Sequence, residues 1–157
     1  IYATEPQAWR REVAREFGAD VVLDPTEEDP VERVRAETGA GVDVAFEAVG
    51  NETALDQAIK STKPSGTTVV IGVFSDGAEI VPSDLVGHER SITGSRSHAL
   101  GPALETEYGV VLRQLAAGEI DVDRYVSSRI AVEDIVEEGF DALLDDDREE
   151  LKILVRP

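Results

Sequence analysis

Short, almost uninterrupted runs of β-branched residues alternate along this chain with segments whose apolar residues recur at helical spacing. Strands of that kind need cover on both faces, and a crossover helix between successive strands makes them parallel. Ile1 to Thr4 reads as the first strand. Trp9, Val13 and Phe17 mark a helix stopped by Gly18, and Val21 to Leu23 a buried strand. Asp29-Pro30 opens a second helix, through Val31 and Val34 to Gly39, and Val42 to Phe46 is the next strand. Asn51 caps a helix with Ala54, Leu55, Ala58 and Ile59 on its apolar face. Pro64-Ser65-Gly66 reads as a turn into a strand over Thr67 to Val73, and Ser91 to Ser95 as a further strand. Leu104, Tyr108, Val111, Leu112 and Leu115 mark a helix ended by Gly118. The rhythm then changes: a strand over Tyr125 to Ile130, a helix over Val132 to Leu144 with Ile135, Val136, Phe140 and Leu143 inward, and a strand over Leu151 to Val155. The fold expected is α/β, a doubly wound parallel sheet, whose ligands bind beyond the carboxyl ends of the strands.

Charge narrows the function. Thirty-three acidic against fifteen basic residues leave a net charge of −18, the wrong sign for tracking phosphate backbones or anionic membranes. No nucleic-acid or membrane partner is expected. No run is apolar over the ~18 residues of a membrane span, and the chain has no cysteine for a disulfide or a thiolate zinc site. Only Lys60, Lys63 and Lys152 are lysines, and with so many carboxylates this suggests a halophilic protein whose self-repulsion is screened by salt. A cytoplasmic location is expected. The chain has no Met and opens within a strand, so it reads as part of a longer protein.

The strand ends single out Glu5, Asp24, Ala48 to Gly50 and Gly72 to Phe74. A carboxylate at Glu5 could accept both hydroxyls of an adenosine ribose and repel a 2′-phosphate. Gly50 and Gly72 could let a ligand approach the backbone. A Gly-x-Gly-x-x-Gly turn is missing, so a dinucleotide fold here would lack its first strand, glycine-rich turn and first helix. Gly87-His88-Glu89, with His98 as the second imidazole, offers no recognised metal spacing. Ser95, Ser97 and His98 lack the flanking glycines of a nucleophile elbow. Asp145-Asp146-Asp147 reads as a hydrated turn, since it has neither the alternating ligands nor the glycine of a calcium loop. No catalytic or metal-ligating residue is assigned.

One ordered set runs through the chain: Glu5-Pro6 with Arg10 and Arg11, Glu16 to Asp20, Val42 to Gly50, Gly66 to Gly72, Ile92 to Ser95, Leu115 to Asp121 and Lys152 to Val155. It resembles the zinc-type medium-chain alcohol dehydrogenases, particularly the sorbitol, butanediol and threonine dehydrogenase branch. The resemblance implies the carboxyl-terminal half of a subunit, with a partial Rossmann-type NAD-binding domain over 1–122 and a tail returning to the catalytic domain over 123–157. It implies an NAD-dependent oxidoreductase that takes a hydride from an alcohol or polyol, its zinc bound by an amino-terminal half outside this chain. By that resemblance Glu5 binds ribose and Arg10 lies by the adenosine. Ala48, Val49 and Gly50 line the approach from adenine-side ribose to nicotinamide. Ile71 and Val73 meet the nicotinamide through backbone or side chain, as do Ser95 and Ser97 through their main chain, Gly72 counts among the cofactor-binding residues, and Lys152 lies near the pyrophosphate. Arg96 falls beside the substrate pocket, where many relatives carry an apolar residue. His88-Glu89 is unrelated to the family's zinc-binding Gly-His-Glu. This portion alone is expected to be inactive, and the whole protein a homo-oligomer, dimer or tetramer, joined near Gly87 to Thr93. The alternatives are a zinc-free, NADPH-dependent quinone or enoyl reductase of the same superfamily and a non-catalytic NAD-sensing domain.

Overall fold

The computed structural model of the chain describes residues 1–96, 103–145 and 148–157, with the backbone alone for 103–107. Ser97, His98 and Asp146-Asp147 lie outside the described residues, as does the side chain of Leu104. The chain divides into two compact units at Arg96. The first holds β1 (Tyr2–Thr4), α1 (Ala8–Glu16), β2 (Val21–Leu23), α2 (Pro30–Thr38) and β3 (Val42–Glu47). It continues with α3 (Glu52–Ser61), β4 (Thr62–Val70), α4 (Pro82–Val86) and β5 (Ser91–Gly94). All strand pairs in it are parallel, as the crossover rhythm requires. The hydrogen bonds fall into two groups, β1-β2 and β3-β4-β5, with β4 central in the second.

Local chemistry fixes the boundaries. Asp29 Oδ1 accepts the Val31 and Glu32 N–H groups at 2.8 and 3.3 Å, Pro30 opens α2, and Gly39 closes it at φ +79°. Asn51 Oδ1 accepts the Ala54 N–H at 2.8 Å to start α3. Gly18, at φ +97°, follows the last turn of α1. The core gathers Leu23, Val31, Val34, Leu55 and Ile59, with α3 packed on α2, β3 and β4.

Three local expectations are corrected. First, Pro64-Ser65-Gly66 does not precede the strand but lies inside β4. Val42 pairs with Thr62 and Val44 with Thr67, so the intervening residues bulge out. Ser65 takes φ +60° and its N–H bonds the His88 carbonyl at 2.9 Å. Turn chemistry makes a β-bulge here because the chain resumes the same strand direction. Second, β4 ends at Val70 rather than Val73, since the Ile71 and Gly72 N–H groups both turn onto the Glu47 carbonyl. Third, β3 is covered on one face only: Glu47 is buried while Val44 and Phe46, at the alternate positions, are exposed. The short helix α4 is a further element, which the periodicity did not mark.

The second unit holds α5 (Ala103–Ala116), β6 (Ser128–Ala131), α6 (Asp141–Leu144) and β7 (Ile153–Arg156), with β6 and β7 parallel. Gly118 takes φ +73° beyond α5, but Tyr108, Val111 and Leu112 on its apolar stripe are exposed. Amphipathicity marks a face able to be buried; it does not supply the partner. The helix expected over Val132 to Leu144 is a 3₁₀ turn (Val132–Asp134), a π-helical segment (Ile135–Phe140) and α6. Wide i→i+5 winding rotates the face away from 3.6-residue spacing. Val136, Phe140 and Leu143 are therefore exposed, and Gly139 and Ala142 are buried instead.

Because the Asp29 carboxylate satisfies two N–H groups at the start of α2, Asp29→Ala should lower stability by about 1 kcal/mol, read as a lower urea midpoint at unchanged slope. An unaltered midpoint would show that Pro30 alone fixes that helix start.

Candidate functional site

Parallel strands direct their carboxyl ends to one edge of the sheet, and in the first unit those ends are tied by two acid-centred arrangements. The first joins β1 to β2. The Glu5 N–H bonds the Leu23 carbonyl at 3.0 Å, and Glu5 Oε1 accepts the Gln7 N–H at 2.8 Å. Glu5 Oε2 makes no hydrogen bond among the described residues. Arg11 Nη1 donates to the carbonyls of Glu5 and Pro6 at 2.8 and 2.7 Å and pairs with Asp24 at 2.9 Å. Asp24 Oδ1 also accepts the Thr26 hydroxyl and N–H at 2.6 and 2.9 Å. The Thr26 hydrogen bonds, aided by the Arg11 charge, hold the Asp24 carboxyl below its ordinary value of 3.8. Arg10 stands over the Trp9 ring, 5.0 Å from its centroid, and its buried Nε has no hydrogen-bond partner among the described residues.

The second arrangement joins β3 to β4 through Glu47, which is 2 % exposed. Its Oε1 accepts the Val49 and Gly50 N–H groups at 2.8 and 2.7 Å, while its carbonyl accepts those of Ile71 and Gly72 at 2.8 and 3.0 Å. One residue thus closes two strand-end turns, and Oε2 of the same carboxylate is buried without a partner among the described residues. Gly50 takes φ +83°, where an added Cβ would lie 2.3 Å from the Val73 carbonyl oxygen. At Gly72 an added Cβ would lie 2.5 Å from both Glu47 Oε2 and the Gly50 nitrogen. These two glycines are required by the approach of the turns to each other, a reason within the protein where the sequence suggested approach by a ligand.

The structure therefore brings Glu47, Gly50, Gly72 and Val73 into one cluster. Ala48, Val49, Ile71 and Val73 are exposed beside it, Val73 at 90 %. The Ser95 N–H joins the same strand ends by bonding the Val70 carbonyl at 2.9 Å. Arg96 is exposed. Lys152 belongs to the second unit, where its backbone N–H and carbonyl bond Ser127. His88 and Glu89 flank the end of α4, and no three His, Asp or Glu side chains come together to hold a metal among the described residues. Glu47 and Arg11 were passed over as site residues in the sequence. The signal for Glu47 was an acid closing an apolar strand three residues before a turn glycine.

Two outcomes follow. Gly50→Ala should cost about 1–3 kcal/mol through backbone strain alone, and it should shift the amide resonances of residues 71–73. A variant as stable as the parent would show that the Val73 turn moves aside freely. Asp24 has a folded-state value below its unfolded one, so its stabilisation is present above pH ~3.8 and lost as pH falls through the folded value. Amide exchange at the β1 and β2 ends should rise on acidification below that point. In Asp24→Asn it should be raised already at neutral pH and lose that step.

Residues 1–117 match the family model described as zinc-binding dehydrogenase. The chain is 39 % identical over its full length to (R,R)-butanediol dehydrogenase of Bacillus subtilis (strain 168), covering 43 % of that protein. It is 32 % identical to L-threonine 3-dehydrogenase of Pyrococcus furiosus, over 91 % of this chain and 40 % of that one. The crystal structure of 2R,3R-butanediol dehydrogenase from Bacillus subtilis superposes with a TM-score of 0.88 at 39 % identity, covering all of this chain and 43 % of that one. A zinc-binding dehydrogenase from Sinorhizobium meliloti 1021 bound to NADP gives 0.82 at 29 % identity, covering 100 % and 45 %. The chain thus spans less than half the length of the relatives it matches. A parallel α/β unit with its glycine-closed strand ends, matches to these dehydrogenases over 91–100 % of this chain and the family model over most of its residues agree: the chain belongs to the zinc-binding dehydrogenase family.

Proposed function

We propose that this chain is the nucleotide-binding portion of an NAD-dependent alcohol or polyol dehydrogenase, with 1–122 as the nucleotide domain and 123–157 as the tail returning to the catalytic domain. The observation that carries the reading is Glu5. It stands directly beyond β1 with one carboxylate oxygen held by the Gln7 N–H and the other uncommitted. An oxygen so placed can accept a ribose hydroxyl, and its negative charge opposes a 2′-phosphate. Arg10, with an unsatisfied buried Nε against Trp9, suits the adenosine side. The exposed apolar groups of Val49, Ile71 and Val73 suit a nicotinamide ring laid on the strand ends, with Ala48, Gly50, Gly72 and Ser95 contributing backbone, and the family resemblance assigns Ser97 and Lys152 to the same cofactor.

NAD, when bound, supplies the hydride acceptor. The chain's own residues bind it, orient it and hold the turns still while transfer occurs. Zinc is assigned, by the family resemblance, to sequence that the longer relatives have beyond this match. Near-attack geometry needs both reactants held together, and so this portion alone should not turn over. A small-molecule alcohol or polyol substrate, a dimeric or tetrameric assembly and a cytoplasmic location complete the reading.

The test is to measure initial rates of the whole protein with NAD and NADP over vicinal diols, polyols, threonine and simple alcohols, with and without a zinc chelator. Chelator-sensitive oxidation preferring NAD is expected, and Glu5→Ala should raise KM for NAD about tenfold or more while narrowing the gap to NADP. NADPH-linked reduction without alcohol oxidation would instead assign a zinc-free reductase, and NAD binding without turnover a sensing domain.

A further inference from the structure

At the amino-terminal end of β4, opposite the strand ends described above, lies a cavity of about 490 Å³ bounded by the ends of α2 and α3 and by α4. Its lining inverts the charge balance of the chain. Arg35, Lys60 and Arg90 face it together with His88, against the single carboxylate of Asp84, in a protein of net charge −18. We propose that this cavity is a binding site for a small multivalent oxyanion of the phosphate or sulfate class.

Arg90 anchors the cluster from within the fold, while Arg35 and Lys60 reach the cavity from the surface. Arg90 is only 8 % exposed, and its Nε and Nη1 donate to the carbonyls of Thr62 and Asp84 at 2.9 and 3.1 Å. Arg35 Nη2 donates to the Lys60 carbonyl at 2.7 Å. Those bonds fix both guanidinium planes but leave Arg35 Nη1 and Nε and Arg90 Nη2 without a hydrogen bond among the described residues. Neither arginine has an ion-pair partner among the described residues; of the lining cations, Lys60 alone is paired, to Asp56 at 2.8 Å. Burial and the facing charge of Arg35 both act against the Arg90 cation, and a guanidinium cannot relieve this by losing its proton. Carbonyl dipoles at the ends of α2 and α3 offset part of the repulsion and Asp56 pairs with Lys60, but the two arginines face the single carboxylate of Asp84. An oxyanion supplies the missing negative charge and accepts the unused N–H groups, and arginine's forked donors match its geometry. The space greatly exceeds the ~30 Å³ of one water, so an oxyanion enters with part of its hydration. Once there it would bridge α2, α3 and α4, and binding to the folded state alone would stabilise the fold.

The test is thermal unfolding of the protein with increasing orthophosphate, pyrophosphate or sulfate at constant ionic strength, chloride making up the balance, joined to direct titration by calorimetry. A saturable rise in Tm is expected for the multivalent anions, with no matching rise in chloride alone. Arg35→Gln and Lys60→Gln should each weaken the apparent affinity by about fivefold or more. Arg15→Gln, whose side chain pairs with Glu12 on α1, should leave it unchanged. Equal responses to all anions at matched ionic strength, or parental affinity in both cavity variants, would overturn the proposal. Two variants are specified so that one still decides the matter if the other does not fold.

Discussion

Glu47 is the residue on which the candidate site depends. Its carbonyl fastens the turn beyond β4 and its carboxylate fastens the turn beyond β3. Four N–H groups that would be orphaned where the two strands end are thereby satisfied by one residue, within a space so close that Gly50 and Gly72 tolerate no side chain. The exposed Val49, Ile71 and Val73 are displayed by this clasp. Its cost is a carboxylate oxygen buried without a partner among the described residues, the kind of polar imbalance that proteins keep where geometry matters more than stability.

The β1 and β2 ends solve the same problem with charge. Arg11 reaches across to Asp24 while donating to the Glu5 and Pro6 carbonyls, and Thr26 completes the Asp24 carboxylate. Glu5 is thus positioned by its neighbours' electrostatics while its own carboxylate stays half uncommitted. A large negative charge elsewhere on the chain gives solubility without specifying any of this. What matters locally is that each strand-end acid has its own donors and that the cations of the opposite end are concentrated around one cavity.

Much of the first unit was legible because its signals are short-range. Asp29-Pro30 and Asn51 start helices by accepting adjacent N–H groups, and Gly18 and Gly39 follow helix ends at positive φ. Neither needs a distant partner. Prediction failed where the outcome depended on what lies across space. Pro64 to Gly66 made a bulge because β4 continues beside β3. Val136 and Phe140 faced out where π winding replaced the assumed period. Tyr108 and Leu112 were left exposed, since periodicity describes a face and not its cover.

By itself, the sequence determined the parallel α/β pattern, the helix caps and the placement of Glu5 at a strand end, because each follows from residue type and local spacing, and its ordered motifs carried the resemblance to the family. Only the tertiary structure decided that Glu47 holds both turns, that Gly50 and Gly72 answer to the backbone of their neighbours, and that Arg35, Lys60 and Arg90 meet at one cavity. Those residues are far apart or differently oriented along the chain, and hydrogen bonding and repulsion act through distance in space, which spacing in sequence does not encode.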